Sequence, residues 1–160
     1  MDAIHCPVPS KPYPPNQPNS FCEPWAINAP LALRIPIGII LIAHGSQKLF
    51  GWFGGYGLEG TGQWMASIGL TPGYLMALMA GSSEFFGGLF LLLGLLTRPT
   101  ALVLSFTMII AIFSVHIGNG LFLANNGYEF GLALLAATVS LAVSGAGKFA
   151  IDNLFANRIK

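Results

Sequence analysis

Four apolar stretches dominate the chain and leave it few ways to fold. They are LALRIPIGIILIAHGSQKLF (31–50), GYLMALMAGSSEFFGGLFLLLGLL (73–96), PTALVLSFTMIIAIFSVHI (99–117) and YEFGLALLAATVSLAVSG (128–145). Each is close to the roughly 20 residues that cross a hydrocarbon core about 30 Å thick. A segment in lipid must satisfy its own backbone hydrogen bonds, so these stretches are expected as helices. Only 8% of the 160 residues are charged, whereas a soluble domain uses about 25% to cover its surface. Lipid must supply the missing cover. The predicted fold is all-α: an integral membrane four-helix bundle, with the short LTRPT link pairing the second and third spans as an antiparallel hairpin. A net charge of +1 gives no footprint for nucleic acid.

The flanking segments differ in composition. Residues 1–30 hold eight of the eleven prolines and are read as a proline-rich tail with too few apolar groups for a core. Residues 31–152 form the transmembrane domain, and 153–160 a short basic tail. The beginning lacks a basic start followed by an apolar run, so the first span is expected to direct insertion. Cys6 and Cys22 are too far apart for a CxxC motif and support no zinc or redox assignment.

Orientation follows from Lys and Arg. Arg34, Arg98, Lys148, Arg158 and Lys160 fall on one side if both termini share it, while the loops 51–72 and 118–127 contain neither residue type. Both termini are therefore expected in the cytoplasm, in a multi-pass protein of the cell (inner) membrane.

That topology gathers the remaining ionisable groups in the outer half. With a rise of 1.5 Å per residue, Lys48 lies about 6 Å, His44 about 12 Å and Glu84 about 16 Å below the outer surface. His116 ends the third span there and Glu129 begins the fourth. Depth pairs His44 with Glu84, and sets Lys48 near His116 and Glu129. Structural roles compete with function for several of these. Lys48 can snorkel to the interface, His116 can cap a helix C-terminus, and Glu129 fits a capping box with Asn126 as N-cap. A carboxylate near the midplane has no such ordinary use, which makes Glu84 the strongest functional candidate. The small residues of AGSSEFFGG should let span two approach span one at Ser83 and Gly87, with Leu92 facing lipid.

HGSQKLFGWFGG, GLEGTGQWMASIGL, the glutamate of SSEFFGGLFLLLGLLTR, HIGNGLF and NNGYEF resemble, in order and spacing, the DoxX family over about residues 33–152. The matching positions include His44, Gly45, Lys48, Phe50, Gly51, Glu84, Gly87, His116, Gly118, Asn119, Gly120 and Glu129. The resemblance implies a four-helix membrane protein. It also implies association with redox partners, since related DoxD- and DoxA-type subunits belong to a thiosulfate:quinone oxidoreductase.

The leading functional expectation is thus a membrane subunit of a quinone-linked oxidoreductase system. His44, Lys48, Glu84, His116, Asn119 and Glu129 are the candidate quinone-binding residues, with Glu84 and His44 as the catalytic proton carriers. The sequence carries no haem, flavin or metal motif, so electrons would come from a redox partner subunit or a small reductant; a homo-oligomer is the other association expected. A non-catalytic anchor or assembly partner of a redox complex is the alternative. A small solute or ion carrier is a third reading, weakened by the lack of an internal repeat.

Overall fold

A computed structural model describes residues 23–147 and 149–152. Cys6, Cys22, Lys148, Arg158, Lys160, the first 22 residues and the tail 153–160 lie outside the described residues. Among the described residues the main elements are α1 (Glu23–Phe50), α2 (Gly57–Ser67), α3 (Gly73–Leu93), α4 (Thr97–Ala111) and α5 (Glu129–Ser144). Among the described residues there is no strand. A π-turn (Ile112–His116) and a 3₁₀ turn (Ile117–Asn119) extend α4.

Among the described residues three helical runs are long and apolar enough to cross a membrane: Asn28–Phe50, Gly73–Leu93 and Thr97–Asn119. These are the first three predicted spans. The fourth, α5, is equally apolar but shorter, at 16 residues. Helix α1 begins at Glu23, inside the segment read as tail, and carries Pro30 and Pro36 within it.

The unexpected element is α2, in a stretch read as an outer loop. Its glycines argue against a helix by propensity, yet Gly62 is what lets it dock. A Cβ there would lie 2.9 Å from the Tyr74 Cα, and one on Gly73 only 2.1 Å from the Gly62 carbonyl oxygen. Two backbones meet with no side chain between them. Tertiary contact outweighs local preference.

The helices pack in antiparallel neighbours around a core of Leu41, Leu91, Ala101, Leu104, Met108, Leu134 and Leu141. Helices α1 and α3 share the most extensive interface. Gly38 and Gly45 of α1 oppose Gly88 and Phe85 of α3, and Gly81 lies under Lys48 and Leu49. A Cβ on Gly45 would sit 2.4 Å from the Phe85 backbone nitrogen, so this seam closes backbone to backbone. Ser83 and Gly87 do not join it. Ser83 shares a hydroxyl hydrogen bond of 3.0 Å with Thr107, and Gly87 abuts Leu104, both on α4. Leu92 packs against Gly38 of α1 and does not point into open space. The expected close approach is real, but it uses the neighbouring face of α3. Between α4 and α5 the buried Ser105 hydroxyl donates to Thr138 Oγ1 at 2.9 Å.

Beyond Leu93 the chain turns through Gly94, at φ 65°, with Leu95 N donating to the Phe90 carbonyl and Gly94 N to that of Leu91. This is a Schellman closure, and its left-handed residue suits glycine. The segment after α5 folds back onto this turn. Arg34, only 3% exposed, donates from Nη1 to the Ala146 carbonyl at 2.6 Å and from Nη2 to that of Phe149. Asp152 accepts from Leu96 N at 2.6 Å and Thr97 N at 3.0 Å, capping α4, and its own N–H donates to the Gly94 carbonyl. Arg34, counted from sequence among the surface charges that set orientation, is an internal clamp.

Candidate functional site

Helical geometry explains which charges meet. Every Cα–Cβ bond leans toward its own helix N-terminus, and α1 and α3 run antiparallel. Lys48 therefore leans back down α1 while Glu84 leans up α3, and the two converge. Lys48 Nζ donates to Glu84 Oε2 at 2.5 Å, an ion pair whose side chains are 25% and 6% exposed. His44, at the matching depth by residue count, leans down α1 as Lys48 does and so away from Glu84. The pairing of Glu84 with His44 expected from depth is thus replaced by one with Lys48.

His44 still belongs to the site. Its imidazole is within the field of both Lys48 and Glu84. The ring also packs against Phe130 of α5, with centroids 5.8 Å apart. Polar groups of α1 and α3 thus gather at one place between the helices, with the Phe130 ring against His44. Among the described residues Glu84 Oε1 accepts no hydrogen bond. Lys48 keeps two N–H donors beyond the one given to Glu84. The site can therefore both donate hydrogen bonds and accept a proton.

The other predicted residues make hydrogen bonds within the loop between α4 and α5. His116 Nδ1 is 2.9 Å from the Asn126 carbonyl; a carbonyl only accepts, so Nδ1 carries the proton. Asn119 donates to the Val115 and Asn126 carbonyls at 3.2 Å. Glu129 Oε1 accepts from Leu123 N at 2.5 Å. These three pin the 120–128 loop to the helix ends that flank it. The anticipated capping box is absent: Asn126 is left-handed at φ 59°, Tyr128 precedes α5, and the Glu129 carboxylate serves Leu123. Six candidates divide into a group of three around the buried Glu84, with His44 and Lys48 half-buried, and a loop clasp of three.

Sequence inspection missed Phe130 in this site and the Arg34 clamp at the other end of the bundle. Phe130 follows Glu129 directly, but the facing of α5 toward His44 has no local signal. Arg34 had the signal of a charge three residues into an apolar run, which in lipid demands a partner.

Apolar helices around a buried ion pair define a helical membrane protein with a polar site inside its bundle. The DoxX family model matches residues 29–117, and the chain belongs to the DoxX family. It is 36% identical over 122 residues to "Putative oxidoreductase CatD" of Bacillus subtilis (strain 168), covering 76% of this chain and 83% of that one. Inner membrane protein YqjF of Escherichia coli (strain K12) is 33% identical over 130 residues, covering 78% and 89%. Inner membrane protein YphA of the same strain is 30% identical over 127 residues, covering 76% and 86%. No solved structure matches the chain.

Proposed function

We propose that this DoxX-family protein is a membrane subunit of a quinone-linked oxidoreductase system. In this reading α1, α3, the α4 run and α5 form a four-crossing bundle of the cell inner membrane with both termini cytoplasmic. The ion pair then lies in the outer half. The observation that carries the proposal is the Lys48–Glu84 pair beside His44, enclosed by apolar helices. Holding two charges there costs several kcal/mol of desolvation, and a purely structural role would be served as well by apolar residues.

The chemistry of these side chains suits a quinone. Reduction to quinol takes up two electrons and two protons. Lys48 offers hydrogen bonds to a ring carbonyl, while Glu84 and His44 relay protons. A redox partner subunit supplies the electrons, a role consistent with the oxidoreductase name of the Bacillus relative. His116, Asn119 and Glu129 shape the loop above the site.

Glu84→Gln tests this. It keeps the size of the side chain and removes its proton chemistry, so quinone turnover by the membrane complex should fall by about 10²-fold or more while the bundle stays folded in detergent. Full turnover by folded Glu84→Gln protein would end the relay reading. The subunit would then be an anchor of the complex.

A further inference from the structure

Four helices form a ring in which α1 touches α3, α3 touches α4, and α4 touches α5. The α1–α5 side, which closes the ring, is far more sparsely joined than the α1–α3 and α4–α5 sides. Its fastenings are unlike at the two ends. Near Gly94 the buried Arg34 of α1 is hydrogen-bonded to two carbonyls of the chain just past α5. Toward the other end the contact described is the His44–Phe130 ring pair. A charge-assisted clamp is set against one ring contact, worth only about 0.5–1.5 kcal/mol.

His44 lies on the α5-facing side of α1, and Lys48 follows one turn later. Glu84 reaches the same space from the α3 side of the seam. The glycine seam bars approach between α1 and α3, because backbones touch there. Lys48 is nonetheless a quarter exposed. The α1–α5 side, which His44 faces, is the most sparsely joined of the ring.

We propose that α1 and α5 form a lateral gate, hinged at the Arg34 clamp and latched by Phe130 against His44. Through it a planar, lipid-soluble ligand with carbonyl acceptors passes from the bilayer to Lys48 and Glu84. The quinone class of that ligand rests on the function proposed above; the gate itself does not. Phe130 is a positioning residue. It holds the His44 ring in place and sets how readily the seam parts.

Two carbodiimides of opposite solubility test the route, since each adds to a protonated carboxyl. In proteoliposomes, lipid-soluble dicyclohexylcarbodiimide should modify the protonated fraction of Glu84, read by mass spectrometry as the acylurea or as the Lys48–Glu84 amide that the adjacent amine forms with release of the urea, and a water-soluble carbodiimide should not. Phe130→Ala should speed the labelling about two- to tenfold, the equivalent of one ring contact. Phe106→Ala, an exposed ring on α4, should leave the rate unchanged, and Glu84→Gln protein should carry no label at that position. Absence of lipid-phase labelling, labelling by the water-soluble reagent at an equal rate, or indifference to Phe130→Ala would each overturn the gate. Decylubiquinone should slow the labelling. Gated labelling without such protection would keep the gate and remove the quinone.

Discussion

Glu84 and Lys48 depend on each other more than either contributes to the fold. Removing one member of a buried pair strands the other charge, at a cost of about 3–5 kcal/mol, whereas replacing both by apolar residues of similar volume is often neutral. We therefore expect Lys48→Met and Glu84→Leu each to lower the melting temperature in detergent clearly. The double variant should recover most of that loss. A double variant as unstable as the sum of the singles would mean that the pair is not the isolated unit seen here. The three residues of this site were legible in sequence, because ionisable groups in apolar runs stand out. Their pairing was not, because counting depth along an axis ignores the opposite lean of side chains on antiparallel helices.

At the scale of helices, the α1–α3 seam depends on what its glycines leave out. Gly81, Glu84 and Gly88 recur at helical spacing and share the face toward α1, while Ser83 and Gly87 belong to the next face round, toward α4. Gly45→Leu and Gly88→Leu should each cost more than about 3 kcal/mol, since overpacking against backbone leaves nothing flexible to yield. Ser83→Ala should cost about 1 kcal/mol, the value of one hydrogen bond. Thermal unfolding of the three variants in one detergent ranks them, and a Gly45→Leu variant as stable as Ser83→Ala would refute the backbone contact. The small residues of AGSSEFFGG announced close packing. Which side they served depended on where α4 lies, and no local pattern records that. Helix α2 was hidden for a related reason, since its stability comes from Gly73 and Tyr74 rather than from its own residues.

Over the whole molecule the proposed orientation is open to direct test. Glu59→Cys and Asn125→Cys place single thiols at exposed positions of α2 and the 120–128 loop. With the native cysteines replaced, both should react in intact cells with an impermeant maleimide, and Cys6, when retained alone, should not. Labelling of Cys6 from outside would reverse the topology. Composition alone made the helical membrane class readable, and the spacing of motifs made the family readable. The clamp joining Arg34 to Ala146 and Phe149, with Asp152 on the α4 N-terminus, was invisible because its members are separated by more than fifty residues and form no motif.

The clamp also sets an order of events during synthesis. Arg34 leaves the ribosome 112 and 115 residues ahead of the carbonyls that will hold it, a gap of roughly 6–23 s at ordinary rates of translation. Through that interval α1 carries a guanidinium with neither of its native partners yet made, so it cannot settle into lipid alone. It must wait at the insertion machinery, or at the headgroup level, until α5 and the residues after it arrive. In membrane-inserted chains stopped after Ser144, trypsin added from the cytoplasmic side should consequently cleave after Arg34, and extending them to Asp152 should protect that bond. The first crossing to be translated would then be the last to become permanent.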